Sequence, residues 1–311
     1  MAVAQDVDMS FKIRDVVFKN PVLTASGTFG YADEFEDFTD VSSLGAVVTK
    51  AISMEPRPGN DHQRIFETYG GMINSIGLEN VGIEKFVEEK LPVLKEKNID
   101  FVVNLAGKTL DEYVSLAKVC EEHNIKAVEL NISCPNVKSG CLEFGTDEVV
   151  LGRLVDSVRK VFAGCLIVKL TPNVTSIEKI AQASQQAGAD AVSLINTVKA
   201  LGIKLDFING KFKKSTVQGG LSGRAIKPIA LGAVSRVRQV VDIPIIGMGG
   251  IYSLFDMFEF FSAGADMIQI GTANFTHPDI SGQLVCELKN FMAENGFSTL
   301  KELKDNLRGE Y

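Results

Sequence analysis

The sequence predicts an α/β protein folded as a (β/α)8, or TIM, barrel, with long βα loops over its C-terminal face. Three observations carry this. Eight short, nearly all-apolar runs recur along the chain, as parallel strands covered on both faces require. Amphipathic helical patterns separate them. Ala187-Gly-Ala-Asp190, leading into a run that ends Asn196-Thr197, is echoed by Ala263-Gly-Ala-Asp266, leading into one that ends Gly271-Thr272. Each echo reads as helix, tight turn, buried strand and polar tip, the repeating unit of a barrel. A doubly wound sheet is the rival, but eight parallel strands would make it unusually broad, and no GxGxxG follows the first strand.

The strand runs, in order, are Pro21–Ala25, Gly45–Thr49, Phe101–Leu105, Ala127–Ile132, Cys165–Leu170, Ala191–Ile195, Ile243–Gly247 and Met267–Ile270. Thr109-x-x-Glu112 reads as a capping box opening a helix with Tyr113, Leu116, Ala117 and Cys120 inward. Val150, Leu154, Val158 and Val161 form a second stripe. Thr175-x-x-Glu178 is a second expected capping box, with Ile177, Ile180, Ala181 and Ser184 inward and Gly188 as the stop. A further helix begins near Ser253 and ends at Gly264. At roughly 150 residues per domain a chain of 311 suggests two domains, but a barrel uses this length as one. No Pro/Ser-rich linker divides it, so 1–311 is expected to be a single barrel domain.

Composition narrows the function. The chain is 45% hydrophobic and 23% charged with net charge −7, which excludes disorder and argues against a basic nucleic-acid binder. No run approaches the ~18 apolar residues of a membrane span. Met1 to Phe11 carries Asp6 and Asp8 without a basic n-region, unlike a signal peptide. Five scattered cysteines without CxxC suit a reduced, cytoplasmic protein with no structural metal. His62, His123 and His277 are far apart, so neither histidine nor metal is expected to run the chemistry.

Three connections exceed simple turns: Ala51 to about Leu78, Ser133 to Thr146 and Val198 to Ser222. All follow strands, so all belong on the C-terminal face, where barrel enzymes keep their sites. The strand tips carry Ser26-Gly27, Lys50, Asn104, Asn131, Lys169, Asn196-Thr197, Gly249-Gly250 and Gly271-Thr272, a set rich in amides and lysines without a carboxylate. An Asn at a strand end is often a turn former, and a lone Lys is usually solvated. Val168-Lys169-Leu170, however, puts a Lys inside a buried strand, where it needs a partner such as an anion. Gly247-Met-Gly-Gly250 and Gly271-Thr-Ala-Asn274 offer bare N–H groups beside a helix start near Ser253, a phosphate nest at the usual barrel position. Gly219-Gly-Leu-Ser-Gly223 fits a hinge, a turn or a phosphate contact.

Cys120, Cys165 and Cys286 read as small buried hydrophobes. Cys134, in Asn131-Ile-Ser-Cys-Pro-Asn136, is flanked by polar residues on a long loop and could act as nucleophile or base once its pKa falls from ~8.5. With no His at a strand tip, proton abstraction is favoured over acyl transfer. From the residues alone three classes stay open: an enzyme that abstracts a proton at Cys134, a Schiff-base lyase or aldolase using Lys169, and a barrel that binds a phosphate ligand or partner without turnover.

Asn131-Ile-Ser-Cys-Pro-Asn-Val-Lys138 with Phe144-Gly145 resembles the active-site loop of dihydroorotate dehydrogenases. Asn74-Ser-Ile-Gly-Leu78, Gly219-Gly-Leu-Ser-Gly223 and Gly247-Met-Gly-Gly250 resemble further signatures of that family in the same order. The resemblance runs from about Phe11 to the C-terminus. It implies an FMN-binding TIM barrel that oxidises dihydroorotate to orotate in pyrimidine synthesis. Cys134 would take the C5 proton while FMN accepts hydride from C6, and Lys169 would stabilise the charge on the reduced flavin.

Membrane-bound members carry an N-terminal extension and a serine base, unlike this chain. Val137-Lys138-Ser-Gly140 and Gly27-Thr-Phe-Gly-Tyr31 resemble the NAD-linked type, which pairs the barrel with an electron-transfer subunit carrying FAD and a 2Fe-2S cluster, two of each in a heterotetramer. The fumarate-linked homodimer is the alternative. By motif, Ser26, Lys50, Ala51, Asn104, Asn131, Lys169, Ile195, Gly223, Gly249, Gly250, Gly271 and Thr272 are expected to line FMN. Lys50, Asn74, Ser75, Ile76, Gly77, Leu78, Asn131, Asn196 and Thr197 are expected to meet the substrate. Cys141, Arg224 and Ala200-Leu201 depart from the family pattern, all in loops. The loop from Ser133 to Thr146 is expected to close over the site.

Overall fold

Eight parallel strands close a barrel in strictly sequential order: Val22–Thr24, Ala46–Val48, Phe101–Leu105, Ala127–Asn131, Cys165–Lys169, Ala191–Leu194, Ile245–Met248 and Met267–Ile270. Each coincides with one of the eight apolar runs. The structure, a computed structural model, describes residues 7–32, 34, 37–61, 63–133 and 144–309. Most strand residues are fully buried because the barrel packs side chains on both faces. Outside, helices such as Leu110–Glu122 and Glu148–Arg159 cover it, with Leu116, Leu154 and Val158 in the shared core. Inside, Leu23, Val102, Ile167, Ile246 and Met267 form a second apolar core. A short hairpin, Phe11–Ile13 with Val16–Phe18, plugs the lower end of that core through Ile13 and Phe18.

The helix starts follow from side-chain caps. Thr109 accepts from the Glu112 N–H as expected, but the Glu112 carboxylate turns to the Lys108 N–H, so only half of the box forms. The second expected box is corrected. Ser176, not Thr175, caps Ile177–Gln186 by accepting from the Lys179 N–H. Adjacent hydroxyls are interchangeable in a cap pattern, and the helix phase that buries Ile177, Ile180, Ala181 and Ser184 decides between them. In Glu148–Arg159 the buried stripe is Leu151, Leu154, Val155 and Val158. Val150 and Val161 are only half-buried, because the Asp147 cap sets a different phase. Ser253 caps Leu254–Ser262, which ends before Gly264. Cys286 is exposed rather than buried. The helix Ile280–Glu294 turns Leu284, Leu288 and Met292 inward and leaves Cys286 on its outer face.

Two of the three long connections are not loops. Ile65–Thr68 pairs with Gly71–Asn74, and Val198–Ile208 pairs with Lys211–Ser222. The hairpins join through Gly220 opposite Asn74 and Ser222 opposite Met72, giving a four-stranded antiparallel sheet above the barrel. A side chain at Gly219 would overlap the Asn74 carbonyl oxygen, so this glycine permits the close approach of the two hairpins. Of the third connection, residues 134–143, including Cys134 and Cys141, lie outside the described residues. No helix among the described residues is long and apolar enough to cross a membrane.

Candidate active site

The strand tips and the two hairpins enclose a cavity of about 610 Å³ on the C-terminal face. That volume lies within the range of cofactor and substrate pockets. Its walls come from the first strand tip (Ala25, Ser26, Gly27), the second (Lys50, Ala51), the hairpin end Asn74–Leu78, and the sixth strand tip (Ile195, Asn196, Thr197). Asn131 is fixed at its strand end: its backbone oxygen accepts from the Tyr113 hydroxyl at 2.6 Å, and its side-chain oxygen accepts from the Ser133 N–H. Asn196 donates toward the same Asn131 oxygen at 3.5 Å. Asn74 donates to the Gly220 carbonyl, tying the amide to the roof.

Lys50 sits at the rim. Its ammonium donates to Glu79 at 3.2 Å, and Arg64 donates to the same carboxylate oxygen at 3.0 Å. The hydrogen bond from Lys50, reinforced by the two positive charges, holds the Glu79 carboxyl below its usual 4.5. Two cations sharing one anion leave a net positive rim, suited to a carboxylate ligand.

Lys169 forms part of the floor. It is 5% exposed and lines the cavity. Its ammonium lies 3.9 Å from Glu129, a fully buried carboxylate of the neighbouring strand. This contact is an ion pair beyond hydrogen-bond reach, and the ammonium makes no hydrogen bond to the described residues, which leaves its donors facing the cavity. The anion that the buried Lys169 was expected to need is therefore supplied by the protein.

At the far end, Gly249 and Gly250 have φ of 127° and 75°. The N–H groups of Gly250 and Ile251 make no hydrogen bond to the described residues. The helix beginning after Ser253 is less open than expected. Asp256 accepts from the Tyr252 N–H, the Ser253 hydroxyl and Lys227. Burial raises the Asp256 carboxyl, but those three donors outweigh it and hold the group below the usual carboxylate range. The backbone N–H groups open to an anion here are therefore those of the glycine tip of the seventh strand, beside Gly271 and Thr272 of the eighth, rather than those of the helix end itself. Thr272 donates to Ser222, joining this end to the roof.

Every expected cofactor or substrate residue among the described ones lines this single cavity except Asn104. Asn104 is wholly buried beneath it and donates to Glu129. It is the fourth residue of a five-residue strand, a layer below the tip. The pattern also missed Glu129, Asn173 and Tyr252. Asn173 bridges Thr171, Thr197 and Lys199 at the fifth strand tip, and its place in Thr171-Pro-Asn173 was the available signal. Tyr252 stacks under the Arg224 guanidinium at 4.1 Å, and burial raises its phenol. The residues fit FMN: backbone N–H groups without partners among the described residues at one end, a buried ammonium with no hydrogen bond to those residues, and an amide-lined space between.

The model of the family described as dihydroorotate dehydrogenase matches residues 9–292. The chain belongs to the dihydroorotate dehydrogenase family. A Geobacter sulfurreducens protein named dihydroorotate dehydrogenase B (NAD(+)), catalytic subunit, is 46% identical over 300 residues, covering 96% of this chain and 98% of its own. Proteins of the same name from Alkaliphilus metalliredigens (46% over 301 residues, 97% and 99%) and Bacteroides thetaiotaomicron (44% over 297 residues, 95% and 97%) are similarly close. As a dihydroorotate dehydrogenase, the chain is an oxidoreductase. The Schiff-base lyase and non-catalytic readings are set aside.

Proposed function

We propose that this chain is the catalytic subunit of an NAD-linked dihydroorotate dehydrogenase, oxidising (S)-dihydroorotate to orotate in pyrimidine synthesis. The observation that carries the reading is the convergence of Lys169, the three amides Asn74, Asn131 and Asn196, and the Gly249–Gly250 tip on one cavity, in a chain of this family.

FMN is the group proposed for the cavity, where it supplies a two-electron acceptor. Gly249, Gly250, Gly271 and Thr272 would hold its phosphate with backbone N–H groups. Ser26, Ala51, Ile195 and Gly223 would flank the rest. The Lys169 ammonium would place a positive charge at the floor, where negative charge develops on reduction. Lys50 would meet the substrate carboxylate, with Glu79 and Arg64 fixing its position. Asn74, Asn131 and Asn196 each offer a donor and an acceptor, matching the imide-type edges of the pyrimidine ring. Ser75 to Leu78 and Thr197 would complete the wall, and the hairpin roof would limit the access of water. Cys134 follows Ser133, which lines the cavity, and its thiolate is proposed as the base that takes the C5 proton.

Beyond the barrel, we assign electron transfer to a partner subunit carrying FAD and a 2Fe-2S cluster, in a two-plus-two heterotetramer in the cytoplasm. The names of the relatives, which specify NAD(+) and a catalytic subunit, favour this over the fumarate-linked homodimer. The test is to release the chromophore from the purified protein and identify it, then ask which acceptor reoxidises the reduced protein. FMN released by heat, with NAD effective only when the partner is present, supports the reading. FMN absent, or fumarate effective with the chain alone, contradicts it.

A further inference from the structure

Glu129 is a wholly buried carboxylate that neither contacts the cavity nor has a role in the reaction described above. It lies in the interior of the fourth strand, in Ala127-Val-Glu-Leu-Asn131, a position that barrels ordinarily fill with branched apolar residues. Four side chains converge on it. Asn104 donates to one oxygen at 2.7 Å, while Ser193 and Gln269 donate to the other at 2.7 and 2.8 Å. The fourth is Lys169, 3.9 Å away. The three neutral donors satisfy the carboxylate oxygens without cancelling the charge. Lys169 is its only charged partner among the described residues. A buried pair is a poor source of stability compared with apolar packing, so its presence beneath a redox cavity calls for another explanation.

We propose that Glu129 is a positioning residue for the redox reaction. As a fixed negative charge one layer below the Lys169 ammonium, it offsets part of that ammonium's field and lowers the reduction potential of the bound flavin. The proposal rests on the FMN reading above and deepens it. Lys169 alone would stabilise reduced flavin strongly. Glu129 offsets part of that field, which leaves electrons easier to pass to a second acceptor. The carboxylate has no exposure to water, so its field is weakly screened. Three strands besides its own hold it rigidly, so the charge cannot swing away as the flavin changes state.

Glu129→Gln removes the charge and keeps the shape. The network can accept the new amide, because Asn104 Oδ1 and Gln269 Oε1 are buried without partners and can turn to receive it. The experiment is an anaerobic equilibrium redox titration of the FMN-loaded proteins against a reference dye. Ser193→Ala serves as the control, since it deletes one hydrogen bond to Glu129 but leaves both charges. Glu129→Gln is expected to favour reduced over oxidised flavin by about tenfold, about 30 mV upward for a two-electron couple. Ser193→Ala is expected to shift the ratio by less than about twofold. Glu129→Asp, which keeps the charge but draws it back from Lys169, is expected to shift the potential upward by a smaller amount, and it carries the test if Glu129→Gln does not fold. An unchanged or lowered potential in the glutamate variants, or an equal shift in Ser193→Ala, overturns the proposal alone. A parent protein that takes up no flavin overturns the functional reading and the proposal with it.

Discussion

Gly250→Ala is expected to cost the chain its FMN while leaving the barrel folded. Gly250 has φ of 75°, a left-handed conformation that disfavours an alanine by about 1–2 kcal/mol. The added Cβ would also stand 2.8 Å from Lys227 Cβ and 3.0 Å from the Gly223 carbonyl oxygen. Neither neighbour is the loose end of a side chain, and Lys227 is anchored by Asp256 and Glu259 at 2.6 Å each. The strand tip must therefore move, taking the Gly250 and Ile251 N–H groups out of line with a phosphate. A hydrogen bond to a charged group contributes about 1.5–3 kcal/mol. Losing one therefore weakens FMN binding by about 10- to 100-fold. Gly188→Ala is the matched control. Its φ is 97° and its nearest obstacle is Cγ of Arg159 at 3.0 Å, a side chain likewise anchored, by Asp190, at the end of Ile177–Gln186 and away from the cavity. It should lose similar stability, about 1–2 kcal/mol, without losing FMN affinity. Titration of the apoproteins by quenching of FMN fluorescence, beside urea unfolding, reads both effects. A Gly250→Ala protein that binds FMN within twofold of the parent would refute the placement of the phosphate.

Cys134→Ala is expected to slow reduction of the bound flavin by dihydroorotate about 10²-fold or more, with FMN still bound, because a general base is worth that much; stopped-flow reduction at the parent rate would remove Cys134 from its role. Glu79 is held below its usual 4.5, so its stabilising contribution is present above that value and is lost as pH falls through the lowered one. The difference in melting temperature between the parent and Glu79→Gln should therefore narrow from about pH 6 to about pH 3, and a widening gap would contradict the Lys50–Glu79–Arg64 geometry. Burial pushes the Cys120 and Cys165 thiols up to about 12, whereas Cys286 is exposed. Maleimide labelling of the folded protein near pH 8 should modify Cys286 and spare both buried thiols, since only the thiolate reacts; equal labelling of all three by peptide mapping would contradict the packing.

The barrel was legible because its signals are local. Runs such as Ala127–Ile132 and Cys165–Leu170 must be strands of a two-faced sheet, and the stripe Tyr113, Leu116, Ala117 and Cys120 fixes a helix phase within one turn. The roof was not. Val198–Ile208 alternates Leu201, Ile203, Leu205 and Phe207, and Asn209-Gly210 supplies the turn, yet these apolar residues are exposed. The lysines and glycines around them therefore read as loop. In the site, the tips were legible because strand ends are where the chain changes character. Depth was not: Asn104 and Glu129 lie a layer below the tips, and only the register between strands shows that Glu129 meets Asn104 rather than solvent. The partner of Lys169 was foreseeable as a requirement but not as a residue, because it sits 40 positions earlier on the neighbouring strand.

The central claim is that this cavity oxidises dihydroorotate at a bound flavin, and an anaerobic half-reaction tests it most directly. The purified chain is mixed with dihydroorotate in the absence of oxygen and of any partner, and its visible spectrum is followed. Bleaching of the flavin absorbance with formation of one orotate per flavin is the predicted result. A flavin-loaded protein that keeps its colour with dihydroorotate, or a colourless one that takes up no FMN, would contradict it.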